Sequence, residues 1–132
     1  DVDAKYQPFV DEVNNRGLDH FATLTQKREI ENYFHESIVI PSFNTQDGFT
    51  IAITIDDHSD IPELIAEARH NQRNPANPWA TQPSRYKEKC MGFVKKHLNT
   101  RTAGNMTIAV LQQRNAFDEV NNWFEEIKKR LN

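Results

Sequence analysis

Five of the 19 acids of this sequence gather in two short runs. Residues 28–34, REIENYF, set Glu29 and Glu31 beside Arg28, Asn32 and Tyr33, and residues 56–60, DDHSD, place Asp56, Asp57 and Asp60 within five positions. Hard carboxylate oxygens are the donors that magnesium or manganese uses to hold a phosphate, so metal-assisted phosphoryl chemistry is what such runs could serve. If REIENYF is helical, Glu29 and Glu31 lie about 200° apart around the axis and cannot both face one ion. One is then a ligand and the other an ion-pair partner of Arg28 or Lys27. The competing reading is an ordinary charged helix start.

Asp57 and Asp60 follow the best strand candidate in the chain, and the carboxyl end of a strand is where α/β sheets keep their functional groups. Asp60 has a second role open to it. With Glu63 three residues later it makes a capping-box-like pattern, which favours helix capping over metal binding. Asp57 lacks that explanation, and its competing reading is an exposed loop acid. The basic side chains concentrate between Arg85 and Arg101, where Lys87, Lys89, Lys95 and Lys96 also fall and Glu88 is the one acid. A solvated helix face is the alternative to a phosphate contact there.

Other chemistries find little support. There is no GxxxxGK[ST], GxGxxG or GxSxG run, which argues against ATP binding within the chain. His20, His35, His58, His70 and His97 are scattered without HExxH or CxxC spacing, so a structural zinc site is not expected. Cys90, the single cysteine, falls on an apolar helix face and reads as a buried, inert thiol.

The elements that must position these residues form one domain's worth of chain, with 132 residues, 37% of them hydrophobic. Tyr6, Phe9, Val10 and Val13 predict an amphipathic helix over 5–15, ended by Gly17. A short strand over 20–24 and a helix capped by Thr25 follow, the helix carrying Ile30, Tyr33 and Phe34 on one face and limited by Pro41. FTIAITI, 49–55, predicts a strand covered on both faces. Ile61, Leu64, Ile65 and Ala68 then mark a helix with Pro62 in its first turn. The stretch 71–84, with three prolines, reads as an exposed loop or insertion. Helix 85–98 is expected to turn Tyr86, Cys90, Phe93, Val94 and His97 or Leu98 inward. Met106 to Leu111 adds a helical turn, and Phe117, Val120, Phe124, Ile127 and Leu131 give a last helix expected to pack on the core.

Mean hydropathy is −0.77, and no apolar run approaches the roughly 20 residues of a membrane span. A formal charge of −3 argues against non-specific nucleic-acid affinity from net charge alone. One cysteine argues against a secreted disulfide scaffold. Together with the absence of an initiating Met, this predicts a cytoplasmic fragment of a larger protein.

The runs TLTQKREIENYF, ITIDDHSDIPELIAEA and YKEKCMGFVKKHLNTRTAGNMT, with NNWFEEI after them, resemble the C-terminal half of the Toprim-like domain in OLD-family ATP-dependent endonucleases and related phage-defence ATPases. The resemblance covers nearly the whole chain in order, and REIENYF is its most specific part, through Glu31, Asn32 and Tyr33. It implies an α/β, Toprim-like fold with a small, mainly parallel sheet flanked by helices and a helical C-terminal end, residues 1–132 forming the later part of one domain. It implies DNA cleavage with magnesium or manganese in a prokaryotic cytoplasm, with ATP handled by an ATPase domain elsewhere in the protein or on a partner chain, and a homo-oligomer as the assembly. By the same resemblance Glu31, and less directly Glu29, serve the metal. Asp1 and Asp3, of DVDAK, have DxD form without the preceding strand, and Asp57 is a further metal candidate. Lys87 and Lys89 match the family lysine beside the scissile phosphate, though at i and i+2 they cannot both enter one site. Lys95, Lys96 and Arg101 are candidates for DNA phosphates. A non-catalytic module that binds a partner subunit is the rival expectation.

Overall fold

The computed structural model describes the chain apart from Asp1, Leu18, Phe49 and Asn132, and apart from the side chains of Val2, Asp3, Gln46 and Asp47. Its regular structure among the described residues is helical: α1 (Val2–Asn14), α2 (Glu36–Asp47), α3 (Ile61–Arg73), α4 (Ser84–Thr100), α5 (Ile108–Gln113) and α6 (Phe117–Leu131), with 3-10 turns at Ile30–Tyr33, Trp79–Thr81 and Thr102–Asn105. No strand and no sheet occurs among the described residues. This overturns the expected α/β, Toprim-like fold with its small parallel sheet.

The reason lies in what surrounds the best strand candidate. Over 50–55 the backbone has no regular structure, and Ile51 and Ile55 are buried while Thr50, Ala52 and Thr54 are exposed, so one face is covered where two were expected. A strand needs a neighbour to satisfy its peptide groups, and here side chains do so instead. Ile51 N–H donates to Asn44 Oδ1 at 3.0 Å, Ile55 N–H donates to the Glu36 carboxylate, and Ile55 C=O accepts from Arg114 at 2.7 Å. The expected strand at 20–24 is likewise irregular, and Asn14 holds both peptide groups of Ala22.

The chain divides into two compact units, one of residues Lys27–Asn115 and one of Asp1–Gln26 with Ala116–Asn132. In the first, Phe34, Val39, Phe43, Ile51, Ile55, Ile61, Ile65, Trp79, Val94 and Leu98 make one buried cluster. Burying a side chain of this size contributes about 1.5–3 kcal/mol, which is what holds α2, α3 and α4 together. The helix expected from a Thr25 cap and limited by Pro41 does not form: 25–29 are irregular, a 3-10 turn follows at Ile30–Tyr33, and Pro41 lies inside α2. Val39 and Phe43, both fully buried, flank it, and their burial outweighs the missing hydrogen bond. The α3 start is capped as the sequence indicates, Asp60 Oδ1 accepting from Glu63 N–H at 3.0 Å with Pro62 in the first turn. The proline-bearing stretch after α3 is short, because α3 continues to Arg73 and α4 begins at Ser84. Buried Trp79 pins it, its backbone N–H donating to Asn71 Oδ1 at 2.7 Å.

In the second unit, α6 contributes no buried residue. Its stripe was expected to pack on the core, yet Phe124, Ile127 and Leu131 are 65%, 50% and 81% exposed. The partly covered face is rotated from that stripe and carries Val120, Trp123, Glu126 and Arg130. Arg130 joins Glu126 at 2.7 Å and lies over the Phe21 ring. Gly17, with φ of 125°, adopts a backbone conformation that other residues rarely take, consistent with its place after α1.

Candidate functional site

REIENYF folds as a 3-10 turn whose middle is fully enclosed, with Glu31, Asn32 and Tyr33 all buried. Asn32 is its organiser. Its Nδ2 donates to Asp56 C=O at 2.9 Å and Ser59 C=O at 3.0 Å, while its Oδ1 accepts from Glu29 N–H. One amide thereby ties the turn to the DDHSD loop, so the two acidic runs of the sequence do meet in space.

Their charges meet cations there. Lys27, only 6% exposed, places Nζ 2.7 Å from Asp57 Oδ1, and Arg114 reaches the same oxygen at 2.6 Å. Arg114 also donates to Asn32 C=O and Ile55 C=O, which fastens α5 to the loop. Glu29 pairs with Lys95 at 3.4 Å, and Asp60 with Arg28 at 2.9 Å. Asp56 accepts from the Ser59 hydroxyl and from the His58 and Ser59 N–H groups; the Ser59 hydroxyl first, then these amides, hold its carboxyl below the ordinary value. No group of three His, Cys, Asp or Glu side chains able to hold a metal ion occurs among the described residues. A divalent cation beside Asp57 would face an ammonium and a guanidinium already bound to it, so the residues as arranged do not fit magnesium or manganese. Asp1 and the Asp3 side chain lie outside the described residues. Arg114 was missed from sequence because an isolated arginine between short helical segments gives no spacing signal.

The two candidate lysines separate as their i, i+2 spacing requires. Lys87 sits over the Trp79 ring, 5.5 Å from its centroid. Lys89 instead lines a cavity of about 500 Å³ between α3 and α4, whose lining also includes Arg69 and Arg73. Tyr86 and Phe93 also line it, which explains why these two, expected inward, are 39% and 44% exposed while Val94, His97 and Leu98 fill the core. Arg69 is buried, with its guanidinium carbon 4.7 Å from the Phe93 centroid and 5.4 Å from that of Phe43. On the cavity wall, His70 Nε2 lies 2.7 Å from Asn77 C=O, which can only accept, so Nε2 carries the proton. In the neutral ring Nδ1 then accepts from the Tyr86 hydroxyl, 3.0 Å away. The Tyr86 phenol is pushed above its ordinary value, first by its hydrogen bond with Cys90 and then by removal from water. It stays neutral near pH 7.

Of the remaining basic candidates, Lys95 is taken by Glu29, whereas Lys96 and Arg101 are exposed. Lys96 follows Lys89 by seven residues and so returns within about 20° of it around α4, roughly 10 Å along the axis. Lys89 and Lys96 thus continue one exposed line.

No protein-family model matches the chain, and no curated protein and no solved structure is detectably similar to it. Among the described residues, no helix is long and apolar enough to cross a membrane.

Proposed function

We propose that this chain supplies a phosphate-engaging surface to a DNA-cleaving phosphodiesterase, with Lys89 as the phosphate contact. The observation that carries this reading is that Lys89 lines the same cavity as Arg69 and Arg73. An exposed ammonium sharing a cavity with guanidinium groups suits a phosphate oxygen, and Lys96 extends the same line toward a neighbouring phosphate. The resemblance of REIENYF and YKEKC to OLD-family endonucleases supports the same class, without the sheet of that family. Glu29, Glu31 and Asp57 act in this reading as organisers of the loop around Asn32. A magnesium or manganese ion and the ATPase belong to other parts of a cytoplasmic, prokaryotic homo-oligomer or to a partner chain, and no step is routed through either.

The test is fluorescence anisotropy of labelled DNA with this chain across a salt series. Lys89→Ala is expected to weaken binding and to lower the slope of log affinity against log salt by about one. Plasmid nicking by the intact protein with manganese, with Lys89→Ala and Glu31→Ala beside the parent, reads the activity itself. The rival reading, a non-catalytic interaction module, is favoured by the exposed Phe124, Ile127 and Leu131 stripe. It requires that the chain bind no DNA and that Lys89→Ala change nothing.

A further inference from the structure

The cavity between α3 and α4 is more mixed in character than a contact to a mid-strand phosphate needs. Arg69 and Arg73 stand one turn apart on α3, and Lys89 and Phe93 stand one turn apart on α4, all four lining the same space. Arg69 and Arg73 already have partners. Each guanidinium nonetheless carries five N–H donors, so an engaged arginine can still turn an edge to an anion. Burial of Arg69 between Phe43 and Phe93 fixes its fork before any ligand arrives. Lys89 is exposed and shares the lining.

Tyr86 and Phe93 supply the other half of the lining. Two partly exposed rings, about two turns apart on α4, offer apolar surface in the lining, where a planar base can rest. The volume of about 500 Å³ lies within the range of small-molecule pockets and leaves room for one nucleotide. A terminal phosphate is a dianion and answers cations from both helices at once, whereas a diester carries a single charge.

We propose that the α3–α4 cavity binds a nucleoside phosphomonoester, with Lys89, Arg73 and Arg69 on the phosphate and Phe93 and Tyr86 against the base. The inference rests on the reading of Lys89 as a phosphate contact. Its two sources are a phosphorylated DNA end and a free nucleotide, which share this chemistry.

Calorimetric titration of this chain with dAMP, deoxyadenosine and inorganic phosphate tests it, alongside anisotropy with a single-stranded oligonucleotide carrying either a 5′-phosphate or a 5′-hydroxyl. The expected result is that dAMP binds more tightly than either fragment, and that Lys89→Gln and Arg73→Gln each weaken it about tenfold. Lys5→Gln, an equal loss of charge in the other unit, should leave it unchanged. Preference for the 5′-phosphorylated oligonucleotide assigns the ligand to DNA ends, and dAMP binding without that preference assigns it to free nucleotide; both support the site. Inorganic phosphate binding as well as dAMP overturns it, as does dAMP binding that Lys89→Gln and Arg73→Gln leave intact. Equal binding of both oligonucleotides, lost in Lys89→Gln, with no dAMP binding, overturns the cavity site and leaves the DNA reading standing. Binding of dAMP without any DNA affinity does the reverse.

Discussion

Asn32 shows how a side chain that reads as part of a metal motif can act through the backbone instead. It is 1% exposed and holds two carbonyls and one N–H from three separate peptides. Asn32→Ala should therefore cost about 3 kcal/mol in urea unfolding, since each buried group left without a partner costs roughly 1–3 kcal/mol. A loss below about 1 kcal/mol would contradict the organising role. Asp56 gives a pH-dependent counterpart. Its carboxyl is held below the ordinary value by the Ser59 hydroxyl and by two amides, so these bonds favour the folded loop above the ordinary carboxylate range and are lost as pH falls through the lowered value. The His58 and Ser59 amide resonances should follow that acid transition; a midpoint in the ordinary carboxylate range would remove the argument. At this scale the residue types of the acidic runs were legible, and so was the Asp60 cap. The counter-charges were not, because Arg114 reaches Asp57 from 57 positions away.

Elements were readable where a local pattern decides them and misread where a distant partner does. Helices α1, α3, α4 and α6 follow apolar periods, and α3 begins where Asp60, Pro62 and Glu63 say it should. The strand at 49–55 was inferred from β-branched composition, which reports a liking for extended backbone and cannot report whether a second strand arrives beside it. Pro41 is the opposite error, a local rule overridden by packing. Its missing N–H leaves the Ser37 carbonyl without its helical donor, and Pro in a helix interior is about 3 kcal/mol less favourable than Ala. Pro41 is itself exposed, so Pro41→Ala should stabilise the chain, by roughly 2 kcal/mol after the greater freedom of the unfolded state is allowed for. An unchanged or lower urea midpoint would mean that the proline shapes α2 in a way its neighbours require.

For the whole molecule, the buried apolar cluster is made entirely from residues between Phe34 and Leu98, and every side chain of the candidate site falls within Lys27–Asn115. Stability and ligand binding should then reside in one unit. Leu98 is completely buried in that cluster, and Leu98→Ala should lower unfolding free energy by about 2–5 kcal/mol through lost burial and the cavity left behind. A segment spanning residues 27–115 alone should retain helical circular dichroism and a cooperative transition, and should show the same loss on Leu98→Ala. The remaining unit has a different character, since α6 exposes Phe124, Ile127 and Leu131 and buries none of its residues. Replacing Phe124 and Ile127 together with Gln should therefore change the unfolding free energy by less than about 1 kcal/mol, as surface substitutions do. If the double substitution instead costs as much as Leu98→Ala, the stripe belongs to a core that α6 shares, and the stability of the chain would not reside in residues 27–115.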